Sequence, residues 1–470
     1  MNTRTRKQCP LTKHLSFILG FLLALATQSI WACSDVFIIG NTGSKPLPVV
    51  SARTMDFSID LKSALVKVPR GMRWASNAVF PADPAKSGVT WSNQYGFVGL
   101  NMLDQTYKFS DGINEMGLSV GILWLSEAEF SDTPGNTKAL SIQDFAAWAL
   151  GQFQSVAEVK VALTGANPVV VWGEFSQEIQ TVPPVHVVLH DAYGKSLVIE
   201  WLNKQMKVYD DGNQFNGVMT NSPSYPLQLQ NLADSNYANL QCGNVNNEEG
   251  LVGVPGDTSS KSRFVLLSEL SQCATHELVD NKQAGNPLLN ENDALQAVAH
   301  LIGRVERAKG ESWDIEPPPG VDYAQWALLR VHGLPDQNGK STSKLYFRSA
   351  DNHSLRLIEL ANLDFSMMPQ LTTADLQAQW LLEDPGYLKA QNLTPSPTEC
   401  LFDWAEKVYS AFPTHPATQV SKEWIYRYYS GINTYLGVSK IDSHVYYKDP
   451  SGQLQNKGAL LDWLYKAGCQ

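Results

Sequence analysis

A cysteine at position 33 directly follows Ile30-Trp31-Ala32, where an apolar leader ends. Cleavage after Ala32 would make Cys33 the first residue of the mature chain, with a thiol and a free α-amino group on one residue. An α-amine, with an ordinary pKa of about 7.7–8.0, moves protons near neutral pH far more readily than a lysine. Nucleophile and base then meet without a third partner, and the reaction that needs them is attack on a carbonyl carbon. Four further residues suit the same chemistry. Asp56 has a carboxylate that can hold the new α-amino group, and Arg53 a charge that favours the thiolate. Asn221 has a side-chain amide able to donate to an oxyanion, a contribution typically worth about 3 kcal/mol. Arg263 can orient the others or offset developing charge. Taken singly, each has an ordinary alternative: a solvated ion pair for Arg53 and Asp56, a turn for Asn221, and a helix cap at Asp257 or Ser260 ahead of Arg263.

The leader decides whether Cys33 can be terminal. Residues 1–32 hold Arg4, Arg6, Lys7 and Lys13, no acid, and an apolar run from Leu15 to Ala26. That run is too short for a bilayer, which takes about 20 residues, so it reads as a cleavable bacterial secretory signal and a periplasmic or secreted product. Ile30 is larger than the small residue preferred there. A lipobox ending at Cys33 is the other reading, which Trp31 fits poorly and which would consume the amine. Loss of the four basic residues takes the formal charge from −10 to −14. An acidic chain without a basic run is a poor partner for nucleic acid or, once the signal is gone, for an anionic membrane. Of the 6 cysteines, Cys9 leaves with the leader. Pairing Cys242 with Cys273 and Cys400 with Cys469 leaves Cys33 as the odd thiol. No His-Glu-x-x-His or Cys-x-x-Cys spacing is present, so neither a metal nor another cofactor is expected.

Strands must position these residues. Asp35–Ile39 and Pro48–Phe57 read as two strands around a Gly-Asn-Thr-Gly turn, which brings Arg53 and Asp56 beside Cys33. Further strands are expected at 65–68, 96–100, 117–124, 185–189, 196–201, 323–331, 344–348 and 355–360. Residues 141–164 carry apolar side chains at helical spacing, as one helix or a pair. Strands, helix and strands again give an α+β layered fold. Residues 366–398 read as a linker with one helical stretch. Residues 399–470 read as a small aromatic-rich module, about 70 residues, that a Cys400–Cys469 staple would stabilise by several kcal/mol. Its aromatics read mostly as a tyrosine-rich β core, with a ligand-binding face as the other reading.

The motifs also carry a resemblance. Cys33, Arg53-Thr54-Met55-Asp56, Asn114-Glu115-Met116-Gly117-Leu118, Thr220-Asn221-Ser222-Pro223 and Pro255–Phe264 occur in order. Together they resemble the choloylglycine hydrolase family of bile salt hydrolases and penicillin V acylases, over residues 33–365. The resemblance implies the four-layer αββα sandwich of N-terminal nucleophile hydrolases. It also implies cleavage of a linear amide carbon–nitrogen bond. By motif position Cys33 matches the family nucleophile, Arg53 and Asp56 its supporting pair, Asn221 its oxyanion donor and Arg263 its second arginine. Where bile salt hydrolases have Asn and Gram-positive penicillin V acylases Tyr, this chain has Trp124, with Phe57 as the adjacent aromatic. That is similar to the Gram-negative branch, which cleaves penicillin V and long-chain acyl-homoserine lactones. The expected partner is a small-molecule amide substrate; a homo-oligomer stays open. The terminal module, with Tyr426–Gly431 and Asn433–Val438 as its hallmark, resembles one found in assorted secreted bacterial proteins.

Overall fold

The computed structural model describes residues 33–39, 48–76, 88–103, 105–132, 138–210, 216–235, 254–275, 290–314, 320–366 and 373–375, and in the terminal module 397–408, 419–420, 424–429, 433–439, 444–460 and 463. The leader, Cys242 and Cys469 lie outside them, as does the side chain of Cys400.

Two large antiparallel sheets carry most of the described residues up to position 375. One runs Val218–Thr220, Ser34–Ile39, Val49–Phe57, Gly320–Val331, Lys344–Ser349, Arg356–Glu359, with Ser312–Asp314 paired to the long Gly320–Val331 strand. The other runs Gln205–Asp210, Ser196–Leu202, Val185–His190, Ser119–Trp124, Gln105–Asn114, Phe97–Met102, Ala64–Val68, Thr373–Asp375. Every residue of Val49–Phe57 is buried, as expected for a strand covered on both faces. Helices Ser260–Thr275 and Glu291–Gly303 pack on the first sheet, and Phe145–Gln152 and Val156–Thr164 on the second. The order helix, sheet, sheet, helix is the expected αββα sandwich.

Local chemistry sets the helix boundaries. Asn290 caps Glu291–Gly303 by accepting from Asp293 N at 3.0 Å, and two acids sit in its first turn, where the helix dipole favours them. Ser155 caps Val156–Thr164 from Glu158 N at 3.3 Å, while Glu158 reaches back to Gln154 N at 2.9 Å. Ahead of Arg263 the capping side chain is Ser259, which accepts from Ser262 N at 3.2 Å. Ser260 turns instead to Asn221 O at 2.9 Å.

Three expectations are corrected. The stretch 366–398 is not wholly a linker, because Thr373–Asp375 pairs with Ala64–Val68 and so belongs to the second sheet. Strand Gln105–Asn114 and helices Tyr225–Asp234 and Glu291–Gly303 were not expected. In the terminal module, helix Pro397–Val408 covers one face of a five-stranded sheet. Among the described residues its core is Leu401, Phe402, Ala405, Leu436, Val438, Val445 and Leu460, with Tyr429 the one tyrosine in it. Trp424, Tyr426, Tyr435 and Tyr446 are instead half-buried around a cavity of about 400 Å³.

Candidate active site

Register delivers the site. Ser34 pairs with Thr54 and Asp35 with Arg53, so Cys33, one residue upstream, lies against Met55 and Asp56. Its sulfur is 3.5 Å from Met55 Sδ and 3.7 Å from the Asp56 carbonyl oxygen. Arg53 Nη2 approaches the same sulfur at 3.8 Å. Arg263, on the first turn of Ser260–Thr275, donates through Nη1 to Cys33 O at 2.7 Å and also to Ser34 Oγ. Asn221 follows the edge strand Val218–Thr220. Its backbone carbonyl accepts from Gln228 Nε2 at 3.0 Å and from Ser260 Oγ at 2.9 Å. Among the described residues its buried side-chain amide has no hydrogen-bond partner, which leaves Nδ2 as an unspent donor.

Burial dominates the electrostatics. Cys33 is 3% exposed, and loss of solvent pushes its thiol pKa up, against the lowering influence of Arg53. Asp56 is fully buried, and among the described residues its carboxylate oxygens make no well-formed hydrogen bond, with the Thr54 hydroxyl close enough only to act weakly on the group. Desolvation therefore raises its pKa well above the usual carboxylate range, with Arg263 opposing. A carboxylate so placed calls for a cation, and the α-ammonium of a cleaved Cys33 is the cation the expected processing would supply. Arg263 is itself pushed down to about 10 by burial.

Beside the sulfur is a small cavity of about 70 Å³ whose apolar wall includes Met55, Phe57, Met102, Leu123, Trp124 and Ile179. Phe57 and Trp124 meet edge to face, with ring centroids 6.1 Å apart. Ligand sites usually measure roughly 300–1,000 Å³. A substrate must therefore widen this cavity, for which unbranched methionines are well suited.

All seven expected site residues converge on this region. The sequence reading missed two carboxylates. Asp111 accepts from Arg53 Nη1 at 2.8 Å, and the same nitrogen donates to Ser110 O at 2.7 Å. Asp322 accepts from Arg307 Nη1 at 2.6 Å, and Arg307 shares the Thr258 carbonyl with Arg263. Asp111 stands just ahead of the Asn114–Leu118 motif, the one signal that could have pointed to it. Asn114 itself is structural: its Oδ1 accepts from Met116 N and Leu118 N, each at 3.0 Å, and fixes the turn in which Gly117 adopts φ +84°. Cys273 is disulfide-bonded and Cys33 is free. The expected partner of Cys273, Cys242, and the Cys400–Cys469 staple fall outside the described residues. Among the described residues no three His, Cys, Asp or Glu side chains gather as a metal would require.

Sandwich and site together define a hydrolase built around a buried cysteine at the start of an inner strand. Residues 39–312 match the linear amide C–N hydrolases of the choloylglycine hydrolase family, and the chain belongs to that family. It is a hydrolase of linear amide carbon–nitrogen bonds. It is 26% identical to a bile salt hydrolase/transferase of Clostridium perfringens over 66% of this chain and 89% of the relative. It is 28% identical to a penicillin V acylase of Pectobacterium atrosepticum over 73% of this chain and 85% of the relative. The structure of penicillin V acylase from Agrobacterium tumefaciens superposes with a TM-score of 0.56 at 25% identity, covering 73% of this chain and 91% of that one.

Proposed function

We propose that the chain is exported, cleaved after Ala32, and acts as an N-terminal cysteine amidohydrolase on penicillin V or a long-chain acyl-homoserine lactone. The Cys33 sulfur attacks the amide carbonyl carbon while the α-amine takes the thiol proton. Asn221 Nδ2 donates to the oxyanion that forms, and Arg53 offsets charge on sulfur. Collapse breaks the carbon–nitrogen bond, and the departing amine leaves with the proton. Water then attacks the thioester, giving up a proton to the α-amine, and the acid departs as Cys33 recovers its hydrogen. Asp56 holds the α-amine in place throughout, and Arg263 holds the Cys33 carbonyl.

The observation that carries the substrate choice is the apolar cavity at Cys33, walled by Phe57 and Trp124, which suits an aromatic or fatty acyl group. Conjugated bile salts are the second substrate class, supported by the bile salt hydrolase relatives. A reading from another class, a secreted binding protein working through the terminal module, draws on the half-buried aromatics around its own cavity. Turnover of penicillin V, acyl-homoserine lactones and conjugated bile salts by the wild type and Cys33→Ala separates these. Cleavage of the first two and its loss in Cys33→Ala is expected. A preference for bile salts would overturn the substrate choice, and equal behaviour of both proteins would favour the binding protein.

A further inference from the structure

The layer between the sheets holds more charge than the chemistry at Cys33 uses. Asp111 stands between two guanidinium groups, its side chain fully buried: Oδ2 accepts from Arg53 Nη1 at 2.8 Å and Oδ1 pairs with Arg330 Nη2. Arg330 Nη1 lies 3.6 Å from Asp35 Oδ2 and donates to Ser51 Oγ at 3.1 Å. Asp35 Oδ1 meets His190 Nε2 at 2.7 Å, and His190 Nδ1 is 2.7 Å from Ser196 Oγ. Ser51 is tied off as well. The Gly117 carbonyl can only accept, so His332 donates to it through Nδ1 at 2.8 Å, and Nε2 accepts from Ser51 Oγ at 2.9 Å. Burial keeps that imidazole neutral, its pKa pushed down to about 3. The series thus starts two residues from Cys33, at Asp35, and ends at the arginine that faces the sulfur.

Burying this many charges is costly, and an apolar layer would pack as well. Its geometry gives a reason for it. Arg53 is a long side chain, and its remaining acceptors, the carbonyls of Ser110 and Ile122, are uncharged. Asp111 supplies its countercharge on the Nη1 side, which leaves the Nη2 edge toward the sulfur. Arg53 and Arg330 stand against Asp111 and Asp35, two cations to two anions, so what Asp111 gives the sulfur is the direction of the Arg53 Nη2 edge rather than excess charge.

We propose that Asp111, braced by Arg330 and Asp35, is a positioning residue that fixes the Arg53 guanidinium against the Cys33 sulfur. The inference rests on Cys33 being the nucleophile, so its test reads the thiol without any substrate. Alkylation of Cys33 by iodoacetamide is followed from pH 6 to 9 in mature wild type, Asp111→Asn, Arg53→Met and the double variant. Asp111→Asn should slow alkylation about tenfold at pH 7 and raise its apparent pKa by about one unit, and should add nothing once Arg53 is absent. Removal of a nearby negative charge would by itself act the other way. Faster alkylation, an unchanged rate, or an equal loss in the Arg53→Met background would each overturn the proposal. If Asp111→Asn does not fold, Arg330→Gln in both backgrounds carries the same test, with a loss of about threefold expected. A wild-type Cys33 inert across the whole pH range would instead overturn the nucleophile assignment, and with it this inference.

Discussion

Asn221 and Asp56 share a condition: each is buried with side-chain atoms that no described residue holds in a well-formed hydrogen bond. Such groups are costly unless a ligand or a later chemical state completes them. For Asn221 the proposed mechanism makes that partner the oxyanion, so Asn221→Ala should lower kcat by about 10²–10³-fold and leave KM within a few-fold. An unchanged kcat with a raised KM would show a ground-state contact instead. For Asp56 the proposed mechanism makes that partner the α-ammonium of a cleaved Cys33. In an uncleavable precursor its raised pKa makes the folded state favour the protonated acid. That contribution is full at low pH and disappears as pH rises through the folded pKa. Asp56→Asn should therefore leave precursor Tm unchanged near pH 3.5 and raise it increasingly toward pH 8, whereas in the cleaved enzyme it should abolish activity. A flat difference across that range would refute the assignment. The five catalytic candidates were legible because their types matched a chemistry and their order matched a family. Asp111 and Asp322 were not, since a buried partner to an arginine looks in sequence like any surface acid.

Arg53 crosses to the facing sheet and lies against Gly121 of strand Ser119–Trp124. A Cβ at Gly121 would lie 3.2 Å from Val188 Cγ1, 3.4 Å from Arg53 Cδ and 3.5 Å from Arg53 Nη1. Gly121→Ala should therefore press on Val188 first, lowering Tm by a few degrees while activity stays within about threefold. A tenfold loss of activity at unchanged Tm would show that Arg53 gives way instead. Strand Ser119–Trp124 itself was expected from its apolar run. Its neighbour Gln105–Asn114 was not, because Lys108, Ser110 and Asp111 put polar groups where a buried strand normally shows apolar ones. These three serve the pocket wall and the charged layer between the sheets. Function overrode the pattern that sequence reading depends on.

At the scale of the molecule, the hydrolase does not end where its composition changes. The Phe365 ring lies where a Gly96 side chain would begin, 2.3 Å from the position of its Cβ, and the Phe365 carbonyl accepts from Arg70 N at 2.9 Å. Beyond it Thr373–Asp375 covers the edge of Ala64–Val68. Truncation after residue 396 should leave amide cleavage within about twofold of full length, whereas truncation at 365 should lower Tm and promote aggregation by baring a strand edge. Loss of activity in the longer truncation would tie the terminal module to catalysis. The layered class was legible from alternating strand and helix patterns. The boundary was not, because a three-residue edge strand leaves almost no periodicity to detect.

The concealment of Cys33 has a consequence for durability. Peroxide and disulfide exchange attack accessible thiolates, and a cysteine 3% exposed, whose proton burial favours against the pull of Arg53, is a slow target reached only through the cavity beside it. The cavity beside it admits little until a guest forces it open. The idle enzyme is thus its own antioxidant, and working exposes it. Dilute peroxide should inactivate the protein more slowly at rest than during turnover, a difference that assay of residual activity would measure directly.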